Sequence, residues 1–443
     1  MGNLSKKAAL KQLLIFSGPL IFGQVGLMLI GTGDMIIAGR YSKEALAAIG
    51  LAISILNPIQ ISLLGLQFSI SPILAQKRGQ GQKSENHFWT IIVYSFFVSL
   101  ISFGLSLLSY FLVPVLNYGS ELTRIIQEYI LITSASTFGL GLYQGIKEYY
   151  QSEEKTLAAN LTAIIGAFLN LGLNYVLVFG FAGIPSLKEA GLAWASLTCR
   201  FFMALVLFLI SYKCWKTSRK INFQLIKEFW KLGLPITATL FLEIMAFCSV
   251  TLLIGRLSQD QIAANNIVLN AVSLCFMIPL SISSAVAVKV GHGYGEKNIE
   301  IINVFSQMSF LTSLSYALLT GFSFYFFPEV IMSFYTNDLE VIEWGRKLFF
   351  WVACFQLFDG AQVTFSGILR GLSLTRPSFY TMLIGYWLVG LPLGYYLGFH
   401  TPLEAQGFWI GLALSLALVA TMLGVVLRLH LKTLFKNLHS LES

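Results

Sequence analysis

Three acidic residues, Asp34, Glu243 and Asp359, lie inside stretches of sequence that are otherwise almost entirely apolar. A carboxylate near the centre of a bilayer costs at least about 2.5–3.5 kcal/mol on insertion scales. Such a residue is therefore rare, and it usually faces a cavity where it binds an ion or a proton. Desolvation favours the neutral acid, so each group can load and release a proton. Two acids brought together can instead bind Na⁺ with neighbouring carbonyl and amide oxygens, and both ions stay open.

Polar residues in two other apolar stretches can complete an ion site. Asn170 and Asn174 are four residues apart, so they share one face of a helix. Ser196 lies in the next stretch, and Arg200 follows one turn later. Asparagine and serine also form ordinary hydrogen bonds between membrane helices, and that interpretation stays open. Arg200 either pairs with an acid such as Asp34 or extends its charge to the membrane surface, and its role is left open.

The elements that carry these residues are predicted to be membrane-spanning helices. The chain of 443 residues is 56% hydrophobic and only 11% charged, which is not the composition of a soluble domain. Twelve apolar stretches are long enough to cross a hydrocarbon core about 30 Å thick as helices. The alternating pattern of a β-barrel is missing, and the first stretch lacks the cleavage site of a signal peptide. The predicted spans are 12–38, 46–74, 88–114, 127–149, 157–181, 189–212, 230–255, 263–288, 302–328, 346–368, 377–399 and 406–428.

The basic residues are distributed unevenly between the two sides of the membrane. Segments on the side of the N-terminus carry 21 of the 29 Lys and Arg residues, and the other side carries seven. This bias predicts that both termini are cytoplasmic in a multi-pass protein of the bacterial plasma membrane. The net charge of +8 is then expected to balance anionic lipid, so membrane lipid is a predicted partner and nucleic acid is not.

The second half of the chain repeats the first. A shift of 216 residues aligns Pro19 with Pro235 and Ser42 with Ser258, and the alignment continues for about sixty residues without a gap. Each half holds six spans, so we expect two pseudo-symmetric lobes related by an axis along the membrane normal, with a substrate cleft between them. Pro19 is expected to bend the first helix. The predicted domains are an N-lobe at 1–212, a basic cytoplasmic linker at 213–229 and a C-lobe at 230–443.

The linker carries several lysines and one arginine between the two halves. It is predicted to lie at the cytoplasmic surface, as a short amphipathic helix that turns Phe223, Ile226 and Trp230 inward.

With these residues in place, the chain resembles the multidrug and toxic compound extrusion (MATE) family, and more closely its NorM-like branch. The resemblance covers essentially all twelve spans. It implies two six-helix lobes that form a V-shaped cleft, and the expulsion of amphipathic, often cationic compounds in exchange for Na⁺ or H⁺. The segments that carry the resemblance are Pro19 with Asp34, Asp34-Met35-Ile36-Ile37-Ala38-Gly39-Arg40, and Leu369-Arg370-Gly371 before Thr375-Arg376-Pro377.

The resemblance also implies roles for particular residues. Asp34 matches the first-helix aspartate of a cation site in the N-lobe, and Asn170, Asn174 and Ser196 match its other members. In the C-lobe, the acid pair that marks the NorM-like branch is matched by Glu243 and Asp359.

Three positions depart from the pattern of the family. Asn174 stands where the DinF-like branch has a second aspartate, so the N-lobe site here has one acid. Phe355 stands where some relatives carry a tyrosine, one turn before the acid of the tenth helix. Arg200 falls where no charge is expected.

The predicted protein is thus an all-α integral membrane protein that works as a secondary multidrug antiporter by alternating access, as a monomer without a cofactor. A flippase for lipid-linked precursors is a second interpretation, although such proteins usually have additional spans and a basic cavity. An intramembrane enzyme is a third, but all five histidines lie in loops or near span ends.

Overall fold

The computed structural model describes residues 5–181, 183–217 and 220–442, without the side chains of 435 and 437–442. The predicted segments 1–212, 213–229 and 230–443 therefore each contain residues outside this description, namely 1–4 and 182, 218–219, and 443.

The described residues fold into helices, and twelve of these elements are long and apolar enough to cross a membrane. The predicted number of spans is confirmed, and every predicted range overlaps an observed one. Within the described ranges the extended structure is limited to one isolated bridge between Phe181 and Ile184. Spans 1 to 12 are Lys6–Tyr41, Lys43–Gly79, Ser84–Leu116, Ser120–Ser152, Leu157–Phe179, Ala190–Lys216, Phe223–Ile254, Gln259–Gly295, Ile299–Phe326, Leu339–Gly371, Arg376–His400 and Ala405–Leu434.

Several spans are built from more than one helical segment. Span 2 consists of Lys43–Gln67 and Ile70–Gly79, and span 4 of Ser120–Ala135 and Thr137–Ser152. Span 11 contains a π-helical segment, Leu383–Gly390, between the α-helices Arg376–Met382 and Leu391–His400. The other segments are the 3₁₀ turns Ser84–His87, Val113–Leu116 and Ser211–Lys216, the α-helices Phe88–Leu112 and Ala190–Ile210, a short helix Pro328–Ser333, and a last helix Ala405–Glu442.

The chain forms two compact units. The N unit is Gly18–Thr237, and the C unit is Met1–Ser17 together with Ala238–Ser443. Both boundaries fall inside helices, span 1 and span 7, close to Pro19 and Pro235, which the 216-residue shift aligns. The beginning of span 1 thus packs in the C unit, where Ala9 is fully buried in the main apolar core.

The beginning of span 7 packs in the N unit in the same way. Phe229 and Trp230 contact the ring of Tyr94 at centroid distances of 5.1 Å and 5.8 Å. The predicted amphipathic helix is therefore the first part of span 7, and its buried side includes Leu225 and Phe229. Phe223 is 70% exposed, so its predicted inward orientation was wrong. Phe223 is the first residue of the helix, and its side chain lies before the surface that packs on Tyr94.

The repeat is visible in local geometry. Ser42 caps span 2 by accepting a hydrogen bond from the Ala45 backbone N–H at 2.9 Å. Ser258 caps span 8 by accepting one from the Gln261 N–H at 3.2 Å. Both serines have extended backbone angles, as N-cap residues require, so the aligned serines make equivalent helix starts.

Spans 11 and 12 pack together in the C unit at a distance that only glycine permits. A Cβ atom on Gly411 would lie 2.5 Å from the Gly390 carbonyl oxygen and 2.8 Å from the Gly394 backbone. Backbone atoms of helices cannot move aside as a flexible side chain can, so this contact depends on the missing Cβ.

We expect Gly411→Ala to destabilise the protein by about 1–3 kcal/mol, because the added methyl group overpacks this contact. The matched control is Gly172→Ala in span 5, where a Cβ meets nothing within 4 Å in the described part of the chain. Thermal unfolding of both variants in detergent measures the difference. Equal midpoints for the two variants would show that the close approach of spans 11 and 12 is wrong.

Candidate functional site

Asp34 lies in span 1 at the centre of a hydrogen-bond network in the N unit. The side chain is 2% exposed. Its Oδ1 accepts a hydrogen bond from Asn174 Nδ2 at 2.7 Å. Its Oδ2 accepts hydrogen bonds from Ser196 Oγ at 2.8 Å and from Tyr129 Oη at 3.1 Å. Three donors from spans 4, 5 and 6 therefore compensate one buried carboxylate.

The two asparagines connect these donors to one another. Asn174 Nδ2 also donates to Asn170 Oδ1 at 3.1 Å, and Asn170 Nδ2 donates to Ser196 Oγ at 3.2 Å. Both asparagines are fully buried, and their spacing of four residues places them on one helix face. The structure thus brings together all four residues that the sequence grouped as the N-lobe site: Asp34, Asn170, Asn174 and Ser196.

Tyr129 is the member of this network that the sequence did not reveal. It lies 95 residues from Asp34, and it is 3% exposed. A tyrosine in an apolar helix is common, and nothing near it in the sequence distinguishes it from a core residue.

Arg200 lies next to this network without joining it directly. Its Nη1 donates to Ser136 Oγ at 2.7 Å and to Gln60 Oε1 at 3.2 Å. Within the residues described, it forms no ion pair with Asp34, but the two charges are near enough to interact. Gly139 allows this placement, because a Cβ there would lie 2.7 Å from the Arg200 backbone. The guanidinium therefore adds a fixed positive charge beside the carboxylate.

The donor set of the N unit suits a hard cation or a proton, with a rearrangement for either. Carboxylate, amide and hydroxyl oxygens are the ligands that hard cations prefer. Asn174 Oδ1 is buried and has no hydrogen-bond partner among the described residues, so it is available as a ligand. A cation would require the Asn174 amide group to turn its oxygen toward Asp34. A proton on Asp34 would make one carboxylate oxygen a donor, and the hydroxyl of Ser196 or Tyr129 could accept from it by reversing its hydrogen bond.

The two acids of the C unit have a different environment. Asp359 is 2% exposed in the middle of span 10, and Glu243 is half-buried in span 7. The two carboxyl groups are close enough to interact electrostatically. In the described ranges, neither carboxyl group makes a hydrogen bond to the protein. An uncompensated buried carboxylate costs several kcal/mol, so a proton or a bound cation must compensate this pair.

Aromatic and amide side chains surround the acid pair. The ring of Phe247 contacts those of Phe355 and Tyr386 at centroid distances of 6.0 Å and 6.2 Å. Gln356 and Gln362 lie three residues before and after Asp359, on the same side of span 10, and both are 2% exposed. Their spacing could have been read from the sequence, and the two glutamines were missed.

Span 4 carries a buried charged pair that the sequence also did not reveal. Lys147 and Glu148 are 1% and 2% exposed. Gln144 Nε2 donates to Glu148 Oε1 at 2.9 Å. Both residues lie inside span 4, Ser120–Ser152, and also inside its predicted range 127–149.

A bundle of twelve membrane helices with buried carboxyl groups in both of its repeated units is the architecture of an integral membrane transporter. The profile of the MatE family matches residues 19–176 and 235–396, and the second match begins 216 residues after the first. The chain belongs to the MatE family.

Individual relatives agree with this assignment. The chain is 31% identical over 426 residues to the probable multidrug resistance protein NorM of Bacillus cereus (strain ATCC 10987 / NRS 248), covering 94% of each chain. It is also 31% identical over 448 residues to the multidrug resistance protein NorM of Vibrio vulnificus (strain YJ016), covering 97% of this chain and 96% of that protein. The crystal structure of the eukaryotic MATE transporter AtDTX14 superposes with a TM-score of 0.87 at 20% identity, covering 98% and 99% of the two chains.

These findings confirm the predicted family, its NorM-like branch and the MATE-type fold of twelve helices. Members of the family are transporters, so the protein is a multi-pass membrane transporter and not an enzyme.

We expect Tyr129→Phe to lower the free energy of unfolding by about 1–3 kcal/mol, because Asp34 loses one of its three donors in a buried site. The control is Tyr175→Phe, which removes a hydroxyl group from a side chain that is 54% exposed on span 5. Thermal unfolding of the purified variants makes the comparison. Unfolding midpoints that coincide for Tyr129→Phe and the wild type would show that this hydrogen bond does not support the network.

Proposed function

We propose that the protein exports amphipathic, often cationic organic compounds from the cytoplasm in exchange for Na⁺ or H⁺, by alternating access. The proposal places it in the bacterial plasma membrane as a monomer with both termini cytoplasmic, which accords with the excess of basic residues on that side. The names of the NorM relatives from Bacillus cereus and Vibrio vulnificus support multidrug substrates. The observation that carries ion coupling is the pair of the half-buried Glu243 and the buried Asp359, which lacks hydrogen-bond donors from the described residues.

In the proposed cycle, the acid pair of the C unit binds the coupling ion from outside. A proton or Na⁺ removes the repulsion between Glu243 and Asp359 and compensates their buried charge. Loss of the ion to the cytoplasm restores the negative charge, which then favours a cationic substrate. A ligand shifts a conformational equilibrium only by its different affinities for the two states, and the charge of this pair supplies that difference.

The N unit responds to the ion through the donors of Asp34 rather than through an uncompensated charge. Binding of an ion there reduces the negative charge of the carboxylate, and this weakens the hydrogen bonds donated by Asn174, Ser196 and Tyr129. Each of these hydrogen bonds joins span 1 to another span of the same unit. Their release therefore frees the part of span 1 that carries Asp34. About four turns earlier in the same helix, Pro19 removes a backbone hydrogen bond and makes the helix easier to bend.

The direct test uses everted membrane vesicles and a fluorescent lipophilic cation, with Na⁺ and pH gradients imposed separately. We expect the cation to accumulate when the vesicle lumen, which corresponds to the outside, holds the higher concentration of Na⁺ or of protons. Asp359→Asn and Glu243→Gln are expected to abolish this accumulation, because neither amide can exchange a proton or supply a negative charge.

The matched control is Glu340→Gln, which neutralises an exposed acid in the first turn of span 10. It should transport like the wild type, at equal amounts of protein in the membrane. Accumulation that ignores both gradients would refute ion coupling. Normal transport by Asp359→Asn or Glu243→Gln would remove that acid from the mechanism.

A further inference from the structure

Tyr386 has a buried hydroxyl group that has no role in the proposed transport cycle. Its side chain is fully buried in the C unit. Its Oη has no hydrogen-bond partner in the part of the chain that the structure describes. The carboxyl groups of Glu243 and Asp359 are near enough to interact with it electrostatically. A buried hydroxyl without a partner is costly, so its retention beside two acids calls for a ligand that completes it.

Contacts on both sides of span 11 hold Tyr386 beside the acid pair. The neighbouring Trp387 donates from Nε1 to the Leu242 carbonyl oxygen at 3.1 Å, next to Glu243 in the chain. One turn before Tyr386, Met382 Sδ lies 3.9 Å from Nε2 of Gln362, which is on the Asp359 side of span 10. Span 11 is thus connected to span 7 and to span 10 at the level of the two acids.

The local backbone of span 11 is unusual at this point. Tyr386 lies within the π-helical segment Leu383–Gly390. A π-helical turn holds more residues than an α-helical turn, so it changes the direction in which the following side chains point, and such segments occur frequently at functional sites.

Span 10 offers no aromatic hydroxyl group one turn before Asp359. Phe355 precedes Asp359 by one turn and has no oxygen to offer. Its ring and that of Tyr386 both contact Phe247, so the two aromatic side chains border the same part of the C unit. Tyr386 therefore offers a hydroxyl group where the side chain of span 10 cannot.

We infer that the Tyr386 hydroxyl is the third functional group of the ion site formed by Glu243 and Asp359. This inference rests on the proposed function. The structure shows this hydroxyl without a partner among the described residues. In the ion-free state we expect it to turn toward a carboxylate and donate a hydrogen bond, which stabilises the negative charge. When Na⁺ is bound, the Tyr386 hydroxyl oxygen serves as a neutral ligand, and both carboxylates keep their charge. When a proton binds to that carboxylate, the acid becomes neutral and the Tyr386 hydroxyl group no longer donates a hydrogen bond to it.

The test is the ion dependence of substrate transport in proteoliposomes that contain the purified full-length protein. For a Na⁺-driven cycle, Tyr386→Phe should raise the Na⁺ concentration for half-maximal transport about tenfold, because a ligand is lost. For a proton-driven cycle, the half-maximal proton concentration should fall about tenfold, because the carboxylate loses a donor and holds its proton more tightly. The matched control is Tyr316→Phe in span 9, whose hydroxyl donates to the Cys275 carbonyl oxygen at 3.2 Å. Tyr316→Phe should keep the wild-type ion concentration for half-maximal transport.

The double variant Phe355→Tyr/Tyr386→Phe returns a hydroxyl group to the site from span 10. Recovery toward the wild-type ion concentration is expected, and a merely structural role of Tyr386 would not produce it. If Tyr386→Phe is unstable, the ion concentration for half-maximal transport is measured in the double variant instead and compared with the wild type.

A wild-type ion dependence in Tyr386→Phe, with coupling lost in Asp359→Asn and Glu243→Gln, would overturn the inference and leave the proposed function intact. Normal transport by the two acid variants would instead overturn the proposed function, and the role of Tyr386 with it.

Discussion

The free energy of holding a carboxylate away from water governs both units of this protein. Burial of an uncompensated charge costs several kcal/mol, so each buried acid needs hydrogen-bond donors, a cation or a proton. Asp34 has three donors from the protein. Glu243 and Asp359 have none among the described residues, and they remain dependent on an exchangeable ion. The same constraint therefore produces a compensated site in one unit and an exchangeable site in the other.

The compensation of Asp34 also constrains the fold of the N unit. Its donors lie on spans 4, 5 and 6, so these helices must approach span 1 closely. Small residues allow this approach. A Cβ on Gly139 would overlap the backbone of span 6 at Arg200, at a distance of 2.7 Å. The hydrogen bonds to Asp34 therefore depend on helix packing, because a donor can reach the carboxylate only if its helix lies close to span 1.

The C unit is closely packed, but its packing does not supply hydrogen-bond donors to the two acids. Its apolar core includes Phe355 and Tyr386, and span 10, which carries Asp359, packs on span 8 through close contacts at Gly367 and Gly371. Gln356 Oε1, Gln362 Oε1 and Tyr386 Oη are buried oxygens without partners in the described residues. Together with the two carboxyl groups they supply several oxygens that accept no hydrogen bond from the described residues, and such oxygens are suitable ligands for a cation or acceptors for a proton.

Much of the fold could be predicted from the sequence because the bilayer imposes a length and an apolar composition on every span. The grouping of Asp34 with Asn170, Asn174 and Ser196 was predicted from the resemblance to a family, since helical spacing connects only the two asparagines. Tyr129 and Tyr386 could not be predicted, because a tyrosine in an apolar helix looks the same whether its hydroxyl group meets lipid, backbone or an acid. The packing of Lys6–Ser17 in the C unit could not be predicted from the sequence for a similar reason. An apolar helix shows in its sequence that it is buried, but not against which partner.

The central claim is that the ion and the substrate compete for the negative charge of Glu243 and Asp359. The most direct measurement adds a lipophilic cation to the purified protein in weakly buffered detergent and follows the release of protons and of radioactive Na⁺. We expect binding of the cation to displace one of these ions from the wild type, and to displace neither from the Glu243→Gln/Asp359→Asn variant. Saturable binding of the cation to the wild type without release of either ion would contradict the claim.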